Sequence, residues 1–255
     1  MIKSLLVLVC CFVALSLSAL QGPPQPQAVT KDPVCEKAAA DARASQSATP
    51  AGPADLKNVL AQLNNAAQTF KSAKANFQWD QYECVVHDTD VQKGEVYFRR
   101  TKTGMDAAVR VTSPDTKQVV FADGTLKLYQ PKMKQLTIYD AKAKRTEVES
   151  LMNIGFGSRS EDILNSYEVK MEAWETVDGV KTARLNLVPK NEKLRASITN
   201  IILWLDPQRD ISLKQMFMEG QNFRFTHYID VEINGKISNN VFELKTPSGT
   251  TTVRP

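Results

Sequence analysis

Between Lys93 and Tyr139 apolar and polar positions alternate in short runs. Val96 and Phe98 mark one run, then Val109 and Val111, Val119 and Phe121, Leu126 and Leu128, and Leu136 and Ile138. Turn signals separate them: Lys102-Thr103-Gly104, Ser113-Pro114-Asp115, Asp123-Gly124 and Gln130-Pro131-Lys132. A period of two residues places alternate side chains on one face of a strand, and Asp-Gly between two such runs is a strong hairpin signal. The stretch therefore predicts an antiparallel meander with no helix inside it.

The pattern changes on either side. Leu56, Val59, Leu60, Leu63, Ala67 and Phe70 follow a helical period, entered at Pro53, while Lys57, Asn58, Gln62 and Asn65 fall on the opposite face. This predicts an amphipathic helix with one buried stripe. Phe77, Trp79, then Tyr82, Cys84 and Val86 give a strand whose apolar positions shift phase near Asp80, which reads as a bulge. Alternation stops between Ala141 and Tyr167, where Glu149 to Gly157 and Ser160 to Leu164 read as two short helices. Strands resume at Tyr167 and continue, with an Asp178-Gly179 turn, through Phe223, Phe225, His227, Ile229, Val231 and Ile233 to Val241–Leu244. The expectation is an α+β domain of about ten or eleven strands, one long helix before them and a helical insertion among them.

The N-terminus adds a compartment. Lys3 precedes an apolar run, LLVLVCCFVALSLSAL, that ends in small residues, so residues 1–20 read as a cleavable secretory signal peptide. A retained membrane anchor is the alternative, but the run is short for a span. Residues 21–53 are rich in Pro, Gln, Ala and Ser and read as a flexible lead with at most one helical patch, Val34 to Ala44. Residues 54–255 then form a single domain. After signal cleavage Cys35 and Cys84 remain, and in an oxidising compartment such a pair reads as a disulfide closing a loop of about 50 residues. Two unpaired thiols are the other reading.

Composition narrows the chemistry. A net charge of +4 with Lys and Arg dispersed among Asp and Glu gives no basic patch, which argues against nucleic-acid binding. His87 and His227 lie far apart and read as surface or lining residues, so no metal and no cofactor are expected. No nucleophile elbow, phosphate loop or dinucleotide fingerprint is present, which argues against an enzyme. What stands out is apolar surface. Val96, Phe98, Val109, Val111, Val119, Phe121, Leu126, Leu128, Leu203, Phe223 and Phe225, with Leu151, Ile154 and Phe156 from the insertion, are candidates for one continuous lining. They make either an ordinary core or the wall of a cavity that the helices cover. Arg100 falls in phase with Val96 and Phe98, so it either points inward and needs carbonyl partners or sits in solvent after a phase slip.

These segments resemble the LolA-like family of periplasmic lipoprotein carriers. Gly94-Glu95-Val96-Tyr97-Phe98-Arg99-Arg100 resembles the family's strand ending in a basic residue, Arg and Pro, although Thr101 stands where Pro is usual. SPDTKQVVFADGTLKLYQPKMKQ resembles its turn, hairpin and following strand, and Asn240 to Gly249 resembles its ending. The resemblance implies an incomplete antiparallel β-barrel with a helical lid over a hydrophobic cavity. It implies a monomeric periplasmic carrier for lipoprotein acyl chains, moving them from an inner-membrane donor complex to an outer-membrane acceptor. Arg100 matches the residue that hydrogen-bonds the lid shut. Carriers of other lipids and envelope sensors of lipids or lipoproteins share the fold and remain as alternatives.

Overall fold

The structure, a computed structural model, describes residues 32–45 and 47–255. The expected signal peptide and the first part of the lead lie outside the described residues. One 13-stranded sheet organises the rest, in the order β1-β8-β9-β10-β11-β12-β2-β3-β4-β5-β6-β7-β13. Its strands are β1 (Thr49–Pro50), β2 (Ser72–Glu83), β3 (Asp88–Arg100), β4 (Met105–Ser113), β5 (Lys117–Ala122), β6 (Thr125–Gln130), β7 (Gln135–Asp140), β8 (Tyr167–Val177), β9 (Val180–Pro189), β10 (Asn200–Asp206), β11 (Ile211–Glu219), β12 (Asn222–Ile233) and β13 (Thr251–Val253). All pairings are antiparallel except β13 beside β7. The sheet does not close on itself, as an incomplete barrel requires. The two strands beyond the expected count are β1 and β13, edge pieces of two and three residues. Such pieces are too short for alternation to reveal.

The hairpin signals act as their chemistry dictates. Asp123 and Gly124 both take positive φ, at 50° and 70°, and Asp178 and Gly179 do the same at 49° and 78°. Two successive positive φ values match the right-handed twist of the flanking strands.

Register then carries one face across the sheet. Ala73 pairs with Phe98, Phe98 with Ala107, Ala107 with Phe121, and Phe121 with Leu126. In the other half Leu185 pairs with Leu203, and Leu203 with Gln215. Onto this face pack α2 (Asp55–Thr69), α3 (Arg145–Met152) and α4 (Ser160–Ser166). Val59 and Leu63, on the predicted stripe of α2, are fully buried there with Val148 and Leu151 of α3 and Ile163 of α4. Val119, Phe121, Leu126, Leu128, Ile154 and Leu203 belong to the same packed cluster. The helices thus fill a large part of the face that alternation marked out as one continuous lining.

The opposite face is covered as well, and this corrects two expectations. The apparent phase shift near Asp80 is no bulge: β2 pairs with β3 without interruption from Ser72 to Glu83. Tyr82 simply faces away from Phe77 and Trp79, and it is buried because α1 (Pro33–Arg43) lies over it. The register irregularity occurs instead on β12, between Ile229 and Glu232, where Asp230 takes φ 54°. The second correction concerns the lead. Asp32 caps α1 by accepting a hydrogen bond from the Val34 amide at 2.8 Å, with Pro33 in the first turn. Cys35 on α1 is disulfide-bonded to Cys84 at the end of β2, with Cα atoms 5.6 Å apart. The helix α1 and the edge strand β1 therefore belong to the packed unit. Farther along the same face, Phe242 seals Tyr97, Ala108 and Val120.

The disulfide spans 49 residues, so its loss should destabilise the chain by about 4 kcal/mol on the loop-entropy account. Denaturant unfolding of Cys84→Ser under oxidising conditions checks this. A loss below about 1 kcal/mol would mean that α1 docks without its covalent tie.

Candidate functional site

Between the sheet and α3 remains an open cleft with about 730 Å³ of empty space, part of it continuous with solvent. The interior that a water-sized molecule can reach is about 110 Å³, below the range of about 300–1,000 Å³ common for small-molecule sites, so the cleft as it stands is narrow. Its walls are mostly apolar. Phe77 and Trp79 come from β2, Val96 and Phe98 from β3, Ala107 and Val109 from β4, Leu151 and Met152 from α3, and Phe217 from β11. Gln215, Arg224, Thr226 and Tyr228 add polar groups.

Of the residues marked out by alternation, Val96, Phe98, Val109 and Leu151 reach this cleft. Val111 lies in the neighbouring packed cluster with Phe156 and Phe98. Phe223 and Phe225 fall on the other face. Phe223 stacks on Tyr82 at 5.0 Å, and Phe225 meets Trp204 edge-on at 5.8 Å. On β12 the residues that line the cleft are Arg224, Thr226 and Tyr228, one position out of phase with the expected set. Both faces of this strand carry aromatic residues, because both are covered, so hydrophobicity alone could not choose between them. The clue that was available is Arg224-x-Thr226-x-Tyr228, an amphipathic series suited to a partly wet wall.

Arg224 is buried and forms an ion pair with Glu219. Its guanidinium lies 5.7 Å from the centre of the Trp79 ring and 5.5 Å from that of Phe217. Burial pushes the Glu219 carboxyl above the usual carboxylate range, against the pull of Arg224. The cleft therefore has apolar walls and one polar corner, the paired Arg224 guanidinium, flanked by aromatic faces.

The helical cover is tied down at the corner after α3. Arg100 donates from Nε to the carbonyl of Phe70 at 3.1 Å, and from Nη2 to that of Gly157 at 2.6 Å. Phe70 ends α2 and Gly157 ends the turn after α3, so a single side chain from β3 holds two pieces of the cover. Arg99, its neighbour, faces the other way, pairing with Asp106 at 2.7 Å and lying over the Phe242 ring. A second tie was not legible in the sequence. Gln215 donates to the Ile154 carbonyl at 2.7 Å and accepts from the Tyr228 hydroxyl at 3.1 Å. Backbone bonds complete the corner: the Ser212 amide donates to the Gly155 carbonyl at 2.6 Å, and the Gly157 amide to that of Asp210 at 3.0 Å. Gly157 is required here. Its φ is 68°, and a Cβ would lie 2.4 Å from a Phe70 ring carbon.

Below this corner lies Asp210, fully buried. Among the described residues neither of its carboxylate oxygens has a hydrogen-bond partner. Burial pushes its carboxyl up to about 8, with Arg100 pulling it back down.

At the other end of β2, His87 lies 3.0 Å from the Asp32 carboxylate. Cys84 precedes His87 by three residues, a ligand-like spacing in the sequence that the reading of His87 as a surface residue passed over.

No protein-family model and no curated protein matches the sequence. Solved structures do share the fold. An uncharacterized conserved protein from Thermus thermophilus superposes with a TM-score of 0.50 at 10% identity, over 79% of this chain and 99% of that one. A LolA superfamily protein from Nitrosomonas europaea gives 0.38 at 11% identity, over 74% and 97%. The Pseudomonas aeruginosa MucA/MucB complex gives 0.48 at 13% identity, and there this chain covers 75% of its own length but only 61% of that chain. The Thermus thermophilus protein shares the fold over most of both chains, and at 10% identity the likeness extends to the fold alone. Among the described residues no helix is long and apolar enough to cross a membrane.

Proposed function

We propose that this protein is a periplasmic lipid-binding protein that receives an acyl chain in the cleft between β2–β4, β11–β12 and α3. The observation that carries this reading is an apolar cleft under a helical cover, held shut by Arg100 and Gln215. The finer reading is a carrier that shields lipoprotein acyl chains between an inner-membrane donor and an outer-membrane acceptor, in keeping with the motif resemblance.

The energetics suit a carrier. Each methylene removed from water contributes about 0.8 kcal/mol, so a chain burying about ten of them gains roughly 8 kcal/mol. A membrane offers the same gain, so handover requires only that the cleft and the bilayer be nearly balanced. Because the helices occupy much of the apolar face, more than one chain would enter only if α3 and its following corner moved away. Arg100 then acts as the latch: opening exposes the carbonyls of Phe70 and Gly157 and gives up two charge-assisted hydrogen bonds.

Native mass spectrometry of protein purified from its own compartment tests the reading. Co-purified acylated protein supports the lipoprotein carrier, and free lipid supports a carrier of other lipids. A preparation that neither carries lipid nor takes up vesicle lipid removes the proposal. Charged-group hydrogen bonds contribute about 1.5–3 kcal/mol each. Arg100→Leu should therefore change the loading or release rate of a fluorescent acyl chain by tenfold or more, and unchanged rates would take Arg100 out of the mechanism.

A further inference from the structure

The turn between β2 and β3 meets the N-terminus of α1 at the Cys35–Cys84 disulfide, and two further potential ligands converge there. Asp32 lies three residues before Cys35, and His87 three residues after Cys84. A carboxylate oxygen of Asp32, the two sulfurs and an imidazole nitrogen of His87 all lie within 4.8 Å of one another. Among the described residues this is the group whose donor atoms could surround a cation. The Nε2 of His87 and Oδ2 of Asp32 are 3.0 Å apart, close to the edge of about 3.3 Å expected between N and O ligands around a tetrahedral zinc ion. Cys35 and Cys84 are buried, while half of the His87 ring faces solvent, which leaves a path of entry.

We propose that Asp32, Cys35, Cys84 and His87 form a redox-gated zinc site, closed by the disulfide and opened by its reduction.

The ligand chemistry favours this cation. Two thiolates, an imidazole and a carboxylate form a mixed S₂NO set, and zinc accepts all three donor types in tetrahedral geometry without redox chemistry of its own. Each half, Asp-x-x-Cys and Cys-x-x-His, supplies two ligands from one short segment. The turn already holds its ligands together, since the His87 amide donates to the Cys84 carbonyl at 3.3 Å and His87 takes φ 51°. Tyr82 directs its hydroxyl toward the Cys35 sulfur at 3.8 Å, a second contact that would orient a thiolate. The pair of sulfurs must separate to about 3.8 Å, which rotation of the two side chains about their Cα–Cβ bonds can provide.

The chemistry balances in two steps. A dithiol donates two electrons and two protons to the disulfide, giving two thiols on this chain and a disulfide on the reductant. Zinc then displaces one proton from each thiol to solvent, and the ion replaces the covalent bond as the tie between α1 and the β2–β3 turn. This inference is independent of the lipid-binding reading.

The test uses the full chain, reduced by a phosphine that is oxidised to its oxide with oxygen from water, then desalted without air. Zinc titrated against a chromophoric chelator should bind at one ion per chain, at least 100-fold more tightly than to the disulfide form. Cobalt in its place should show the intense visible bands of a tetrahedral thiolate site. Asp32→Asn keeps the helix cap, and His87→Asn suits the positive φ, so both variants should fold in the oxidised form, which circular dichroism verifies before reduction. Each should then bind zinc roughly tenfold or more weakly than the wild type. Equal zinc affinity of the oxidised and reduced proteins, unchanged binding by His87→Asn and Asp32→Asn, or an octahedral cobalt spectrum would each overturn the proposal.

Discussion

Replacing Phe156 by Ala should lower stability by about 3–5 kcal/mol, among the largest effects of any single truncation in this chain. Phe156 is fully buried. Its ring stacks on Phe98 at 4.3 Å and meets Tyr228 edge-on at 4.9 Å. Its backbone forms a β-bridge with Ile211, the start of β11. Truncation therefore removes buried apolar surface and two ring contacts at once, and it leaves a void beneath the corner that both ties hold. Thermal unfolding should show a fall of about 10 °C for a domain of this size. A fall of only a degree or two would mean that the corner after α3 is not part of the cooperative core. Since Phe98 and Tyr228 also line the cleft, the new void adjoins it. A bound acyl chain should then recover part of the lost stability, a second readout that a purely structural residue elsewhere in the core would not give.

The second large effect is a pH dependence centred on Asp210. Its carboxyl is raised to about 8 in the folded protein by burial, against 3.8 for the group in its ordinary environment. Between those values the folded state holds a proton that the unfolded state releases. Stability from this group is therefore greatest below about pH 4 and declines as pH rises, reaching its floor above about pH 8. A displacement of this size corresponds to something on the order of 5 kcal/mol across the whole window. Asp210→Asn removes the titration, and Asn tolerates the φ of 54° that Asp210 adopts. Urea unfolding at pH 5 and pH 8 should show the wild type losing roughly 3–4 kcal/mol relative to the variant over that interval. Parallel pH profiles for the two proteins would show that Asp210 ionises freely in the fold.

How much of this was legible beforehand differs from residue to residue. Asp123-Gly124 and Asp178-Gly179 could be placed in their turns because positive φ at two adjacent positions is a local requirement that few residues meet. The buried stripe of α2 was equally readable, since a helix with one covered face repeats its apolar residues at a fixed spacing. The same local arithmetic, applied from Val96 and Phe98, offered an inward Arg100 or one slipped into solvent, and the bonds to Phe70 and Gly157 decide for the first. The lining of the cleft was readable only in part. Val96, Phe98 and Val109 lie where alternation put them, whereas Phe223 and Phe225 lie on the far face of a strand that is apolar on both sides.

By itself, then, the sequence determined the antiparallel strands, their hairpins and the helical insertion, all of which depend on residues close together along the chain. Only the tertiary structure decided which part of the apolar face stays open, because that depends on how far α2 and α3 fill it. It alone showed that α1 covers Tyr82 and turns an apparent phase slip into a two-sided strand. It also assembled Gln215 beneath Ile154, Asp210 beneath the lid corner, and Asp32, Cys35, Cys84 and His87 at one point. Such groupings join residues about 50 or more positions apart. Local spacing encodes at most the halves, Asp32 with Cys35 and Cys84 with His87, because the whole groupings exist only once the strands have paired and the helices have docked.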